Sequence, residues 1–310
     1  MFALRGIAVS LAFFVLLYCL LSAIVAVGWH SLKRLRVSER TLVGLLFGLR
    51  VLPLAAAIIL TLGFVVPSFQ LLEPRSIDEG TGAAPLVLGI YALLLIFLGW
   101  WRVTASLLAT SRVVARWSQG ARDLADAHAV TVLTTRDAPP LTVIGVCKPI
   151  VLVSESTVAL LSQDELRVAL EHERSHLRSR DNLKKLFFRF CPFPGMNKLE
   201  RAWSQSAELA ADDAAVSNME DAVALASALV KLSRLVPVET PLVCTVGFVT
   251  GSIRARVSRL LAWEEARKSP RPRTRPWYLI ASVAMALLLI FATYGPALAL
   301  THEATEWLVR

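Results

Sequence analysis

Four stretches of the chain run without a single Asp, Glu, Lys or Arg: Gly6 to Leu32, Val51 to Leu72, Gly80 to Trp101 and Pro276 to His302. Each is long enough to cross the ~30 Å hydrocarbon core of a bilayer as a helix, which takes about 20 residues. The pattern predicts membrane helices over about 6–30, 46–68 and 82–101, and a fourth within 276–310. The first stretch, "GIAVSLAFFVLLYCLLSAIVAVGW", is too long for a signal peptide and is followed by basic residues, so it reads as a retained helix. Arg50 and Pro53 interrupt the second; Arg50, near one end, is expected to snorkel to the interface.

Between the third and fourth stretches the pattern changes, and residues 102–275 form one predicted domain without repeats. A mixed helix is expected near 104–127, then strand-like runs "AVTVLTT" and "PIVLVS" separated by "RDAPP" and the turn-forming "IGVCKP". "PIVLV" reads equally as a sheet edge on which an extended peptide could pair and as a buried central strand. "SQDE", Ser162 to Glu165, has the form of a capping box and should start a helix reaching about Arg180. "DNLKKLFFRF" follows, then a break at "CPFPG" and helices over about 197–216, 221–235 and 252–266. The domain is predicted to be mostly helical with a small sheet.

Composition supports a membrane protein: 55% of residues are hydrophobic and the mean hydropathy is +0.57. Charge then orients it. Lys33, Arg34, Arg36 and Arg40 follow the first span, whereas the loop after the second carries Glu73, Asp78 and Glu79 against Arg75. By the positive-inside rule both termini are expected outside and residues 102–275 in the cytoplasm. Trp100, Trp101 and Arg102 at one edge of that segment, and "RKSPRPRTRPWY" at the other, agree with this. The net charge of +9 is accounted for by topology and attraction to anionic lipid. No recognition motif accompanies it, so direct nucleic-acid binding is not expected. The four cysteines form no CxxC pair, which argues against thiolate metal binding and a disulfide framework.

The chemistry concentrates in "ALEHERSHLRSRDNL", residues 169–183. His172 and His176 are four apart and therefore share one helical face, where both rings can address one ion. Glu173, about 100° round the helix, cannot easily become a third ligand but can reach a water on the same metal. This is the content of HExxH, two zinc ligands and a general base; the bland alternative is a solvated amphipathic helix. A catalytic zinc usually takes three protein ligands, and His30, His128 and His302 are poorly located to supply one. Downstream, "SQSAELAADDAAV" places Glu208 and Asp212 four apart. Glu208 is the candidate third ligand and Asp212 the candidate partner for the free N–H of a ligand histidine. Asp213, Glu220 and Asp221 are competitors for the ligand role.

The series His172, Glu173, His176, Arg180, Asp181, followed by "CPFPG" and "ELAAD", resembles the bacterial membrane metallopeptidases typified by the beta-lactam sensor-transducers BlaR and MecR. These are similar in turn to HtpX-type membrane proteases. "GVCKPIVLVS" before the motif and "RARVSRLL" near the end of the domain extend the resemblance over the cytoplasmic segment and the four-span layout.

The resemblance implies a mainly α membrane protein of the bacterial inner membrane. A cytoplasmic α+β gluzincin-like metalloprotease domain would be inserted between helices three and four. It implies Zn2+ held by His172, His176 and Glu208, with Glu173 as base and Asp212 behind the ligands. Asp181 also matches a family position, although an N-cap of the following helix is its plainer reading. The implied partner is a protein substrate such as a winged-helix transcriptional repressor, and a second copy of the chain is a candidate partner. The sensor-transducers continue into an extracellular penicillin-binding domain, whereas this sequence ends at Arg310, so a short antirepressor form without that domain is expected. Two other readings compete: a quality-control or processing protease, and a non-catalytic receptor or scaffold, against which the intact base and ligand set argue.

Overall fold

The computed structural model describes residues 2–30, 37–74, 82–118, 122–123, 132–135, 139–146, 149–235, 245–247, 253–263 and 293–308. Its first helix, α1 (Phe2–Gly28), is followed by α2 (Glu39–Leu60), a π-helical turn (Thr61–Val65) and α3 (Val66–Leu72), which run on as one rod. α4 (Ala83–Ser118) passes without a break through residue 102, so the first part of the mixed helix predicted near 104–127 is that span's own continuation; it ends at Ser118, and residues 122–123 form a strand instead of helix. Among the described residues these three rods are long and apolar enough to cross a membrane. The predicted fourth span lies outside the described residues up to 292; residues 293–308 are helical.

α2 continues through Pro53, and the π-helical turn follows directly on its last residue, Leu60. Such turns leave backbone groups in search of partners. Here the Gly63 carbonyl accepts from the Tyr294 hydroxyl at 2.9 Å, which ties the last helix to this turn. At one end of the bundle Arg5 pairs with Glu73 at 3.0 Å, and His302 stands 3.8 Å from the same carboxylate.

The sheet comprises β1 (Arg122–Asp123), β2 (Val132–Thr135), β3 (Leu141–Ile144), β4 (Ile150–Ser154) and β5 (Thr245–Gly247), in the order β1-β2-β4-β3-β5. β2 and β4 are parallel and the other pairings antiparallel. β4 is thus an interior strand, which rules out the edge reading of "PIVLV" and explains its run of buried β-branched and apolar residues. β3 escaped the sequence reading because "LTVI" is only four residues long and abuts the turn at Gly145, whose φ of 95° suits glycine.

α5 (Glu155–Leu160) leads into α6 (Gln163–Ser179), α7 (Asp181–Phe190), α8 (Asn197–Ala215), α9 (Met219–Ser233) and α10 (Ile253–Leu261). The capping box forms as predicted: Ser162 accepts from the Glu165 amide at 3.3 Å and Glu165 accepts from the Ser162 amide at 2.8 Å. Glu165 also accepts from Ser227 at 2.6 Å and Lys231 at 2.7 Å, so one carboxylate both caps α6 and ties it to α9. Burial alone would raise the Glu165 pKa, but these donors outweigh it and hold the carboxyl below its ordinary value. A depressed folded pKa contributes stability that is present above the unfolded value, about 4.3, and is lost as pH falls through the folded one. Melting temperature followed from pH 6 to 3 should therefore fall more steeply for the wild type than for Glu165→Gln, the curves converging at the acid end. Parallel curves would remove Glu165 from the acid response.

Two apolar clusters set the helices against one another. One joins β3 and β4 to Val168 and Ala169 of α6 and to Leu225, Leu229 and Leu232 of α9. The other packs Met196, Leu199, Trp203 and Ala207, from the start and first half of α8, against Val25 of α1 and Val43 and Leu46 of α2. α8 therefore touches the membrane helices with one half and the domain with the other.

Arg50 closes this junction instead of snorkelling. It is 2% exposed, donates to Glu200 Oε1 at 2.9 Å, and also bonds the Phe188 and Cys191 carbonyls at the end of α7. The burial is tolerated because the charge is paired and its donors are used. α4 approaches the same place so closely that a methyl at Gly99 would collide with the Phe190 carbonyl oxygen. Arg50→Met should lower the melting temperature in detergent by the equivalent of about 1–3 kcal/mol, the cost of buried acceptors left without donors. Wild-type melting would mean that water replaces the guanidinium there.

Candidate active site

On α6 the stripe facing the core begins with Val168 and Ala169 and continues one turn later as His172, Glu173 and His176, all buried. Polar groups on the core side of an amphipathic helix break the local pattern, and such breaks concentrate at functional sites. The facing helix answers in kind: α8 buries Glu208 and Asp212 among alanines.

The His172 and His176 Nε2 atoms lie 3.2 Å apart. Glu208 Oε2 is 3.6 Å from the first and Glu208 Oε1 3.7 Å from the second. One donor atom from each of His172, His176 and Glu208 falls within 4.8 Å of the others. This donor set fits a zinc ion: two imidazoles and one carboxylate, closely grouped, which leaves a fourth position for water or substrate.

The far side of each imidazole meets a carboxylate. Asp212 Oδ1 lies 3.0 Å from His172 Nδ1, and Asp181 Oδ2 lies 2.7 Å from His176 Nδ1. A partner of this kind fixes the tautomer that presents Nε2 to a metal. Asp181 reaches its place through a bend. Arg180 takes the left-handed conformation, φ 53° and ψ 42°, ending α6 and serving as the N-cap residue of α7. Asp181 is consequently the first residue of α7, not its N-cap, and folds back on His176.

Electrostatics sort the groups. Burial alone lowers the His172 pKa, yet the Asp212 and Glu208 carboxylates override it and push it up to about 9. Burial would likewise raise Glu208 and Asp212, but His172 and Arg256 hold both below the usual carboxylate range. Glu173 behaves oppositely. Both its oxygens are buried without a hydrogen-bond partner among the described residues, and burial pushes its carboxyl up to about 7 against the pull of the histidines. A carboxyl near neutrality is suited to taking and returning a proton.

The competing acids are used elsewhere. Asp213 pairs with Arg259 at 2.8 Å, Asp221 with Arg167 at 2.6 Å, and Glu220 is exposed on the first turn of α9. His30 is exposed beyond α1, His302 stands beside Glu73, and His128 lies outside the described residues. The sequence reading missed Arg256 of α10. It is 3% exposed and bonds both Asp212 and Glu208. The only signal for it was "RARVSRLL", which does not say which arginine turns inward.

The family model of the BlaR1 peptidase M56 matches residues 77–260. The chain belongs to this family. The matched span runs from the segment before α4 to Leu260 in α10, so it contains the whole HExxH helix, Glu208, Asp212 and Arg256. Membership in the M56 peptidases makes the chain a membrane-associated metallopeptidase by family, and the His172, His176 and Glu208 cluster is compatible with that chemistry. No curated protein matches it.

Proposed function

We propose that this M56 peptidase is a zinc-dependent endopeptidase of the bacterial inner membrane that cleaves a cytoplasmic regulator, such as a transcriptional repressor, in response to a signal at the membrane. The observation that carries the peptidase reading is the buried convergence of His172, His176 and Glu208 beside a Glu173 carboxyl to which no described residue donates. A buried carboxyl without donors is costly, and a structural role gives no return for it. The positive-inside charge pattern supports a cytoplasmic domain over 102–275 and extracytoplasmic termini.

In this reading His172, His176 and Glu208 hold Zn2+, which when bound supplies Lewis acidity toward a water and the scissile carbonyl. Asp212 and Asp181 hold the two imidazoles in the ligating orientation. Glu173 accepts the proton of the attacking water and passes it to the departing amine nitrogen, returning to its starting state. The packing of α8 on α1 and α2 supports control from the membrane, because a shift there would move the helix carrying Glu208 relative to the one carrying the histidines.

The test is elemental analysis of the detergent-purified chain, followed by incubation with a repressor encoded beside its gene. About one zinc per chain and a single internal cut in the repressor are expected. Zinc with general degradation of unfolded membrane proteins instead would favour the quality-control reading. A chain that takes up no metal when zinc is supplied would promote the receptor reading.

A further inference from the structure

We infer that Arg256 is a positioning residue that locks the third ligand and the partner of His172 together, and that its role is zinc retention. The inference rests on the peptidase reading above. Arg256 Nε donates to Asp212 Oδ2 at 2.8 Å and Nη2 to Asp212 Oδ1 at 2.5 Å, a two-pronged contact. Nη1 of the same plane donates to Glu208 Oε2 at 2.9 Å. One rigid guanidinium therefore grips two carboxylates that lie one turn apart on α8.

The geometry has two consequences. With Oε2 engaged by Arg256 and 3.6 Å from His172 Nε2, the Glu208 carboxylate turns Oε1 toward His176. The prongs on Asp212 hold that carboxylate against His172 Nδ1, so ligand and histidine partner are aligned by one group. Glu173, Glu208 and Asp212 also crowd three carboxyls into a buried space, and a permanently charged guanidinium offsets them where water cannot. Lysine carries the charge but not the planar fork, and it cannot reproduce three fixed bonds. The rest of α10 packs conventionally, with Leu260 in the core and Val257 against it.

The experiment measures zinc affinity by chelator competition on the full chain in detergent, with the melting temperature of the metal-free form recorded in parallel. The wild type is measured first; absence of zinc binding there sinks the peptidase reading itself. Given a zinc-binding wild type, Arg256→Lys keeps the charge and should fold, its metal-free form melting somewhat below wild type because buried acceptors lose donors, while zinc weakens about 10–100-fold, as loss of an outer partner does elsewhere. Arg256→Gln, whose neutral side chain cannot grip both carboxylates, leaves Asp212 in place and should show a similar loss of affinity if the lysine variant does not fold. Wild-type affinity in either folded variant overturns the inference. Failure of both to fold, beside a folded metal-free wild type, also overturns it, by making Arg256 a support of the fold.

Discussion

Glu173→Gln is expected to retain zinc at the wild-type level and to lose about 10²–10⁴-fold in peptide-bond cleavage, the usual contribution of a positioned general base. Glutamine matches the carboxyl in shape but cannot accept the proton. The site around Glu173 is suited to this substitution because both oxygens are buried without hydrogen-bond partners among the described residues, so an amide breaks no existing bond. Removing a buried ionisable group that makes no bond should, if anything, raise the melting temperature. The pairing of a more stable protein with a much slower one would mark Glu173 as functional. Cleavage within a few-fold of wild type would show that some other group moves the proton.

The second large effect is expected at Glu208. Glu208→Ala should cost more zinc affinity than the roughly 10–100-fold typical of an outer partner, because it removes a donor itself. It also leaves Arg256 with a buried prong unmatched, so the metal-free protein should melt lower than wild type. Glu220→Ala is the control, since that side chain is exposed at the start of α9 and should change neither quantity. Equal zinc in wild type and Glu208→Ala would move the third ligand elsewhere, with Asp212 the nearest candidate by its position one turn further along α8.

The sequence alone carried the local features. Long uncharged runs specify membrane helices because lipid admits few other structures, and three rods formed where the runs lay. The Ser162 capping box, the break at "CPFPG" and the starts of α8 and α9 were legible because caps and proline act within a few residues. His172, Glu173 and His176 stood out for the same reason: a spacing of four on a helix is a local geometric fact.

What the sequence left open depended on distant parts of the chain. Whether "PIVLV" was an edge or a centre depended on β2 and β3 taking both its sides, a question of pairing partners that no local propensity answers. Arg50 reads as a snorkelling charge until Glu200 and two carbonyls from the α7–α8 junction, 138 or more residues later, arrive to pair with it. Which of Glu208, Asp213, Glu220 and Asp221 falls beside the two histidines depended on which face of α8 meets α6 and where Arg259 and Arg167 fall. Asp181 depended on the left-handed bend at Arg180, which folds it back onto His176. Periodicity and capping fix which residues share a face, whereas burial of charge is settled only by the partner that tertiary packing brings to it.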